Sequence, residues 1–78
     1  MGVNDLQVQN IQISSEFITL GQLLKFAGVI GSGGEAKDYL EEVSLKVNGE
    51  LEGRRGRKLY AGDLIELPGN LTLKITDK

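Results

Sequence analysis

The sequence predicts an α+β fold in which two short helices pack on a small, mostly antiparallel sheet. Two observations predict it. Apolar residues first recur at helical spacing, as far as Val43, and then alternate with polar residues through the second half of the chain. Glycine-containing turns also separate the alternating segments. Since the chain has 78 residues, we expect residues 1–78 to form one domain around one core.

An edge strand is predicted before the first helix. Residues 6–9 alternate between apolar and polar side chains, and so do residues 11–13. Asn10 breaks the phase between them, and such a break predicts a bulge or two short strands.

Helices are predicted near residues 20–27 and 33–42. Thr19 and Gln22 have the spacing of a capping box, in which each side chain accepts a hydrogen bond from the other residue's backbone N–H. Ser32 and Glu35 repeat that spacing before the second helix. Gly28 stands where a left-handed residue would end the first helix.

Strands are predicted for the rest of the chain. Alternation up to Val47 runs into Asn48-Gly49, a strong hairpin signal, and residues 50–52 return. Gly62-Asp63 marks a turn in which the Asp carboxylate would bond the turn backbone. Strands at residues 64–67 and 71–75 follow it. These periodic segments predict the buried core: Leu20, Leu23, Leu24, Ala27, Ala36, Leu40, Val43, Leu45, Val47, Ile65 and Leu67.

Composition argues against catalysis. The chain has no Cys and no His, which removes thiolate ligands, the usual general base and the usual nitrogen ligand for a metal. Its carboxylates are scattered, and no nucleophile–base pair is visible. We therefore expect a protein that is not an enzyme and has no cofactor and no metal. Neither a membrane span nor a signal peptide is recognisable, so a bacterial cytoplasmic location and no membrane partner are expected.

The basic residues are concentrated in one segment. Four of the nine lie in Arg54-Arg55-Gly56-Arg57-Lys58, whereas the rest of the chain has five against eleven acidic residues. Such a patch attracts an anionic partner, most commonly a phosphate backbone, and Arg binds phosphate through two parallel hydrogen bonds. The alternative is a solvated turn whose charges offset Glu50 and Glu52.

Other candidates are weaker. Lys25 and Lys37 fall off the apolar stripes of the two predicted helices and could flank the basic segment. Gly33-Gly34 could hold an anion on free N–H groups at the second helix start, although a plain helix start is the simpler interpretation. Of the aromatic residues, Tyr39 has core spacing and Phe26 lies beside its stripe, so base stacking by either stays an alternative.

The order of these motifs resembles the S4-type RNA-binding domain, also called the αL motif. The resemblance covers about residues 17–67 and rests on the segment from Ile18 to Lys25, Gly28, the segment from Ser32 to Lys37, Val47-Asn48-Gly49 and Gly62-Asp63. The run from Arg54 to Tyr60 is most similar to the small stand-alone bacterial members, the YaaA-like proteins. Many larger members carry Arg at the start of each helix, where this chain has Thr19 and Gly33.

The resemblance implies a non-catalytic module that binds structured RNA, such as ribosomal or transfer RNA, through the helices and the following loop. The expected RNA-binding residues are Arg54, Arg55, Arg57, Lys58, Lys37 and Lys25. One rival is a protein-interaction adaptor whose arginines dock an acidic protein partner. A second is a ubiquitin-like sulfur carrier; such carriers need a free Gly-Gly end, whereas this chain ends Thr76-Asp77-Lys78.

Overall fold

The computed structural model describes residues 7–77. Along this part of the chain, two helices lie between short strands. In chain order the elements are β1 (Gln7–Gln12), β2 (Ile18–Thr19), α1 (Leu20–Phe26), α2 (Glu35–Glu42), β3 (Leu45–Val47), β4 (Glu50–Glu52), β5 (Lys58–Leu59), β6 (Leu64–Leu67) and β7 (Leu71–Thr76).

The strands form two ladders. Five of them make one sheet in the order β1-β7-β6-β3-β4, in which β1 runs parallel to β7 and the other neighbours are antiparallel. The short strands β2 and β5 pair antiparallel with each other in a separate ladder. The predicted α+β class, with two helices and a mostly antiparallel sheet, is confirmed.

The hydrophobic core combines the apolar residues of the two helices with the inward-facing residues of the strands. Of the eleven predicted core residues, nine are buried, among them Leu20, Leu23 and Leu24 of α1. Ala27 and Val43 are only partly buried, because each is the residue at which its helix ends and lies at the rim of the core. Side chains from β1, β5 and β7 and from the segments that follow β1 and α1 complete the core: Ile11, Ile13, Ile30, Leu59, Leu73 and Ile75.

Strand β1 corrects one prediction. It lies at the sheet edge, as expected, but it is continuous: each residue from Gln7 to Gln12 faces one residue of β7, from Leu71 to Thr76. There is no bulge at Asn10. Only Ile11 of β1 is buried, so the strand has no continuous buried face, and its apolar residues can change phase without a break in the pairing. Leu6, which was assigned to the same strand, lies outside the described residues.

The two helices begin differently. The predicted Thr19–Gln22 capping box forms in full at α1. The predicted Ser32–Glu35 box does not form, because α2 begins after Gly34, which has no side chain to cap it. At the end of α1, Gly28 takes a positive φ of 79° and the Gly28 and Val29 N–H groups donate to Lys25 and Leu24, which is a Schellman ending.

Candidate nucleic-acid interface

The turns on either side of the basic segment are hydrogen-bonded to each other. Asn48 and Gly49 both have positive φ, as the predicted hairpin requires. The Asn48 side chain donates to the Asp63 carboxylate at 3.1 Å and accepts from the Leu64 N–H at 3.0 Å. Asp63 also accepts from the Tyr60 N–H at 2.8 Å, which confirms its predicted role in the turn. These motif residues are therefore scaffold for the segment between them.

That segment, residues 54–58, is called the basic loop, and its backbone is fixed to the start of α1. The Leu20 N–H donates to the Arg57 carbonyl at 2.9 Å, and the Gly21 N–H donates to the Arg55 carbonyl at 2.8 Å. The first N–H groups of α1 are thus satisfied by the loop and by the Thr19 cap. A Cβ on Gly21 would lie 3.4 Å from Arg55, which is an ordinary van der Waals distance, so the loop packs directly on this residue.

Glu52, the last residue of β4, organises the basic loop from inside. Only 6% of its side chain is exposed, and its carboxylate accepts hydrogen bonds from the backbone N–H groups of Gly53 and Arg54. The same carboxylate pairs with the Arg54 guanidinium at 3.0 Å and with the Arg57 guanidinium at 2.8 Å. These partners, Arg54 first, lower the pKa of Glu52 from 4.5 to about 2 against the opposing effect of burial.

The four basic side chains therefore have different surroundings. Arg54 and Arg57 are ion-paired with Glu52. The alternative interpretation, a turn whose charges offset nearby glutamates, predicted this pairing for Glu52. Within residues 7–77, Arg55 and Lys58 take part in no salt bridge, and both are exposed. The loop has four cations and a single carboxylate partner, so it keeps an excess of positive charge. The excess lies at Arg55 and Lys58.

A shallow groove lies where the basic loop meets the helices. Arg55 and Gly56 form one wall, and the start of α1 and the approach to α2 form the other; the remaining lining residues are Thr19, Gly21, Gln22, Gly33 and Ala36. Beside it, the Glu35 carboxylate accepts from the Gly31 N–H at 2.8 Å. Because a carboxylate already lies at this helix start, the interpretation of Gly33-Gly34 as a plain helix start is the better one.

The flanking candidates lie on the helices and outside the groove. Lys25 is exposed in the last turn of α1, the end opposite the loop, and Lys37 is exposed on α2 between the acidic residues Glu35 and Asp38. Neither lines the groove. Tyr39 packs against the core, and burial raises the pKa of its hydroxyl; Phe26 is 66% exposed.

An aromatic pair next to the basic loop was not predicted. Phe17 and Tyr60 lie with ring centroids 6.1 Å apart, and the Lys58 ammonium lies 4.8 Å from the Phe17 centroid. The sequence contains little indication of this pair, because Phe17 and Tyr60 are far apart in the chain. The β2–β5 pairing that brings them together has only two residues in each strand.

The described residues contain neither a recognisable metal site nor a recognisable membrane span. Across residues 7–77, no group of three or more Asp, Glu, His or Cys side chains is placed to hold a metal ion. In the same part of the chain, no helix is long and apolar enough to cross a membrane.

The fold and the loop together define a small α+β protein with a cationic edge at the start of its first helix. Comparison with known families identifies it further: the S4 domain family model matches residues 11–76, and the chain belongs to that family. It is similar to a Bacillus subtilis (strain 168) protein described as "Probable ribosome maturation protein RlbA". The two are 58% identical over 59 residues, which cover 76% of this chain and 83% of the relative. The expected small stand-alone S4 protein is thereby confirmed.

Proposed function

We propose that this protein is a non-catalytic RNA-binding module that contacts the phosphates of structured RNA. The observation that carries the proposal is the basic loop, whose backbone is fixed to α1 and whose Arg55 and Lys58 are exposed and outside any ion pair of the described residues. Because the loop backbone is already fixed, binding has to order only the side chains of the loop. In this proposal α1, α2 and the loop form the αL motif, and residues 1–78 act as one domain.

The comparisons support ribosomal RNA as the partner, with transfer RNA as the alternative. The chain is an S4 domain protein, and a relative with 58% identity is named for ribosome maturation. A role on ribosomal RNA would place the protein in the cytoplasm. Phosphate contacts position a protein without reading sequence, so we expect recognition largely by RNA shape.

The six candidate residues receive unequal roles in this proposal. Arg55 and Lys58 make the primary phosphate contacts. Arg54 and Arg57 use their remaining N–H donors while Glu52 holds them in place. Lys25 and Lys37 contribute weaker, longer-range attraction, and for Lys37 the neighbouring carboxylates of α2 reduce it.

A salt titration tests the proposal. Affinity for ribosomal RNA fragments is measured between low and physiological salt for the wild type and for Arg55→Ala and Lys58→Ala. Each variant should reduce the slope of log K against log salt by about 0.7 on unpaired RNA, or about 0.9 on a duplex. Lys74→Ala is the matched control, because Lys74 is exposed between the buried Leu73 and Ile75 and points to the other side of β7. Unchanged slopes in both loop variants would contradict phosphate binding by the loop.

The adaptor function remains the rival, because the same cations would dock an acidic protein. The absorbance ratio of the purified protein at 260 and 280 nm reports nucleic acid that co-purifies with it. A nuclease-treated sample that binds an acidic protein surface, but no ribosomal or transfer RNA, would favour the adaptor.

A further inference from the structure

The β2–β5 ladder presents an outward face directly beside the basic loop. Ile18 pairs with Leu59, and Leu59 is fully buried. Because side chains alternate along a strand, the residues on either side of this pair point away from the core. The outward face consists of Phe17, Thr19, Lys58 and Tyr60.

Three of these side chains form one cluster. The Phe17 and Tyr60 rings lie at 48° to each other with centroids 6.1 Å apart, within the range of attractive aromatic pairs. Lys58 places its ammonium 4.8 Å from the Phe17 centroid, a cation–π distance. Tyr60 is 46% exposed, so much of its ring is open to solvent. Isolated exposed apolar residues are common, whereas here two aromatic rings and a cation lie together.

The backbone holds both rings in place. Tyr60 starts a tight turn in which its N–H donates to the Asp63 carboxylate at 2.8 Å and its carbonyl accepts from the Asp63 N–H at 3.0 Å. On the other strand, the Ser15 hydroxyl donates to the Phe17 carbonyl at 2.8 Å. Hydrogen bonds to the backbone therefore fix the positions from which both rings project.

We infer that Tyr60 and Phe17 form a stacking site for one unpaired nucleobase of the RNA, while Lys58 and Arg55 bind the adjoining phosphates. This inference rests on the proposed function and adds a second kind of contact to it. The charge complementarity is direct, because the cation within this cluster also belongs to the basic loop. Stacking on aromatic rings accepts any base, since every base has a π face.

The inference limits which RNA binds best. A base inside a duplex is stacked on its neighbours and cannot reach the rings, whereas a base in a loop or bulge can. RNA with unpaired nucleotides should therefore gain a contact that a plain duplex lacks. Stacking contributes roughly 1–3 kcal/mol per base, which corresponds to roughly a 5- to 150-fold gain in affinity.

Tyrosine fluorescence observes the contact directly. The chain has two tyrosines and no tryptophan, so in a Tyr39→Phe variant only Tyr60 emits. Binding of an RNA hairpin with an unpaired loop should quench this emission, because a stacked base deactivates the excited phenol. A blunt duplex of the same length should bind through the basic loop with little quenching.

Affinities of substituted proteins for the same two RNAs complete the test. Tyr60→Leu should weaken hairpin binding about tenfold and leave duplex binding unchanged, whereas Tyr60→Phe should bind like the wild type. Phe26→Leu is the matched control, because Phe26 is also exposed but lies at the opposite end of α1. Thermal melting verifies that each variant folds, and the fluorescence result stands without any Tyr60 substitution.

The possible failures are distinguishable. Two results would overturn the stacking site and leave the proposed RNA binding intact: Tyr39→Phe protein that binds the hairpin without quenching, or Tyr60→Leu protein that binds both RNAs equally more weakly. Wild-type protein that binds neither RNA would overturn both. Binding of an apolar peptide at Tyr60 in place of RNA would assign the surface to a protein partner and would also overturn the inference.

Discussion

Two glutamates lie beside the two glycine-containing segments near the helix starts, and they have different surroundings. Glu52 precedes the basic loop, is 6% exposed, and accepts hydrogen bonds from two backbone N–H groups and two guanidinium groups. Glu35 follows Gly31–Gly34, is exposed, and accepts one backbone hydrogen bond, from Gly31. Both carboxylates bind backbone N–H groups, but only Glu52 is surrounded by cations.

The difference shows that a carboxylate near a glycine-containing segment can have two effects: it can add negative charge at a helix start, or it can fix a cationic loop. At α2 the first N–H groups, those of Glu35 and Ala36, already donate to the Ser32 and Gly33 carbonyls, and the Glu35 carboxylate adds negative charge there, so that helix start offers little to RNA. At the basic loop the carboxylate is enclosed and fixes the loop, while the cations around it outnumber it. The basic loop is therefore the better candidate for an anion site, although both segments contain glycine.

The largest expected contrast in stability is between the Glu52→Gln and Glu35→Gln variants. Glu52→Gln should lower the free energy of unfolding by about 1.5–3 kcal/mol, because it replaces charged hydrogen bonds at a buried site and leaves guanidinium groups unpaired. Glu35→Gln should change it by less than about 0.5 kcal/mol, because a single exposed interaction at a helix start contributes little. Urea denaturation at neutral pH measures both. Equal effects would show that the two carboxylates are equivalent.

Acid should reproduce the effect of the Glu52 substitution. The pKa of Glu52 is lowered from 4.5 to about 2 on folding, so its contribution to stability is complete above about pH 4.5 and is lost as the pH falls towards 2. The stability difference between the wild type and Glu52→Gln should therefore shrink over this range. Urea midpoints of the two proteins at several pH values measure it, with Glu35→Gln as the control. A difference that stays constant down to pH 2 would exclude a lowered pKa.

The caps of the two helices provide the next smaller contrast. Thr19→Ala should cost about 1 kcal/mol, since its hydroxyl accepts the Gln22 N–H. Ser32→Ala should cost nearly nothing, because no side-chain cap forms at α2. Thermal melting of the two variants compares them. A loss as large for Ser32 as for Thr19 would restore the capping box predicted from the sequence.

The sequence predicted those elements that local pattern determines. Helical stripes, the Asn48-Gly49 hairpin and the Thr19 cap all depend on residues within a few positions of one another, and all are confirmed. The Ser32 cap has the same spacing but does not form. Thr19 is held extended by its pairing with Lys58, whereas Ser32 is followed by two glycines and the helix begins after the second of them.

The parts of the candidate site that the sequence missed depend on contacts across the fold. The excess of Arg in the basic loop was visible, but the burial of Glu52 was not, because the alternation in β4 puts the carboxylate inside and leaves Leu51 70% exposed. A hydrophobic pattern would predict the reverse. The Phe17–Tyr60 pair likewise follows from strand pairing between distant residues.

The most direct test of the organised loop is the RNA affinity of Glu52→Gln. By charge alone this variant should bind more tightly, because it removes a negative charge and releases Arg54 and Arg57. If Glu52 instead holds the loop in its binding shape, a loosened loop must be ordered on binding, and affinity for ribosomal RNA fragments should fall about fivefold or more. Affinity equal to or higher than that of the wild type, in a variant that is still folded, would contradict the role of Glu52 as the organiser of the basic loop.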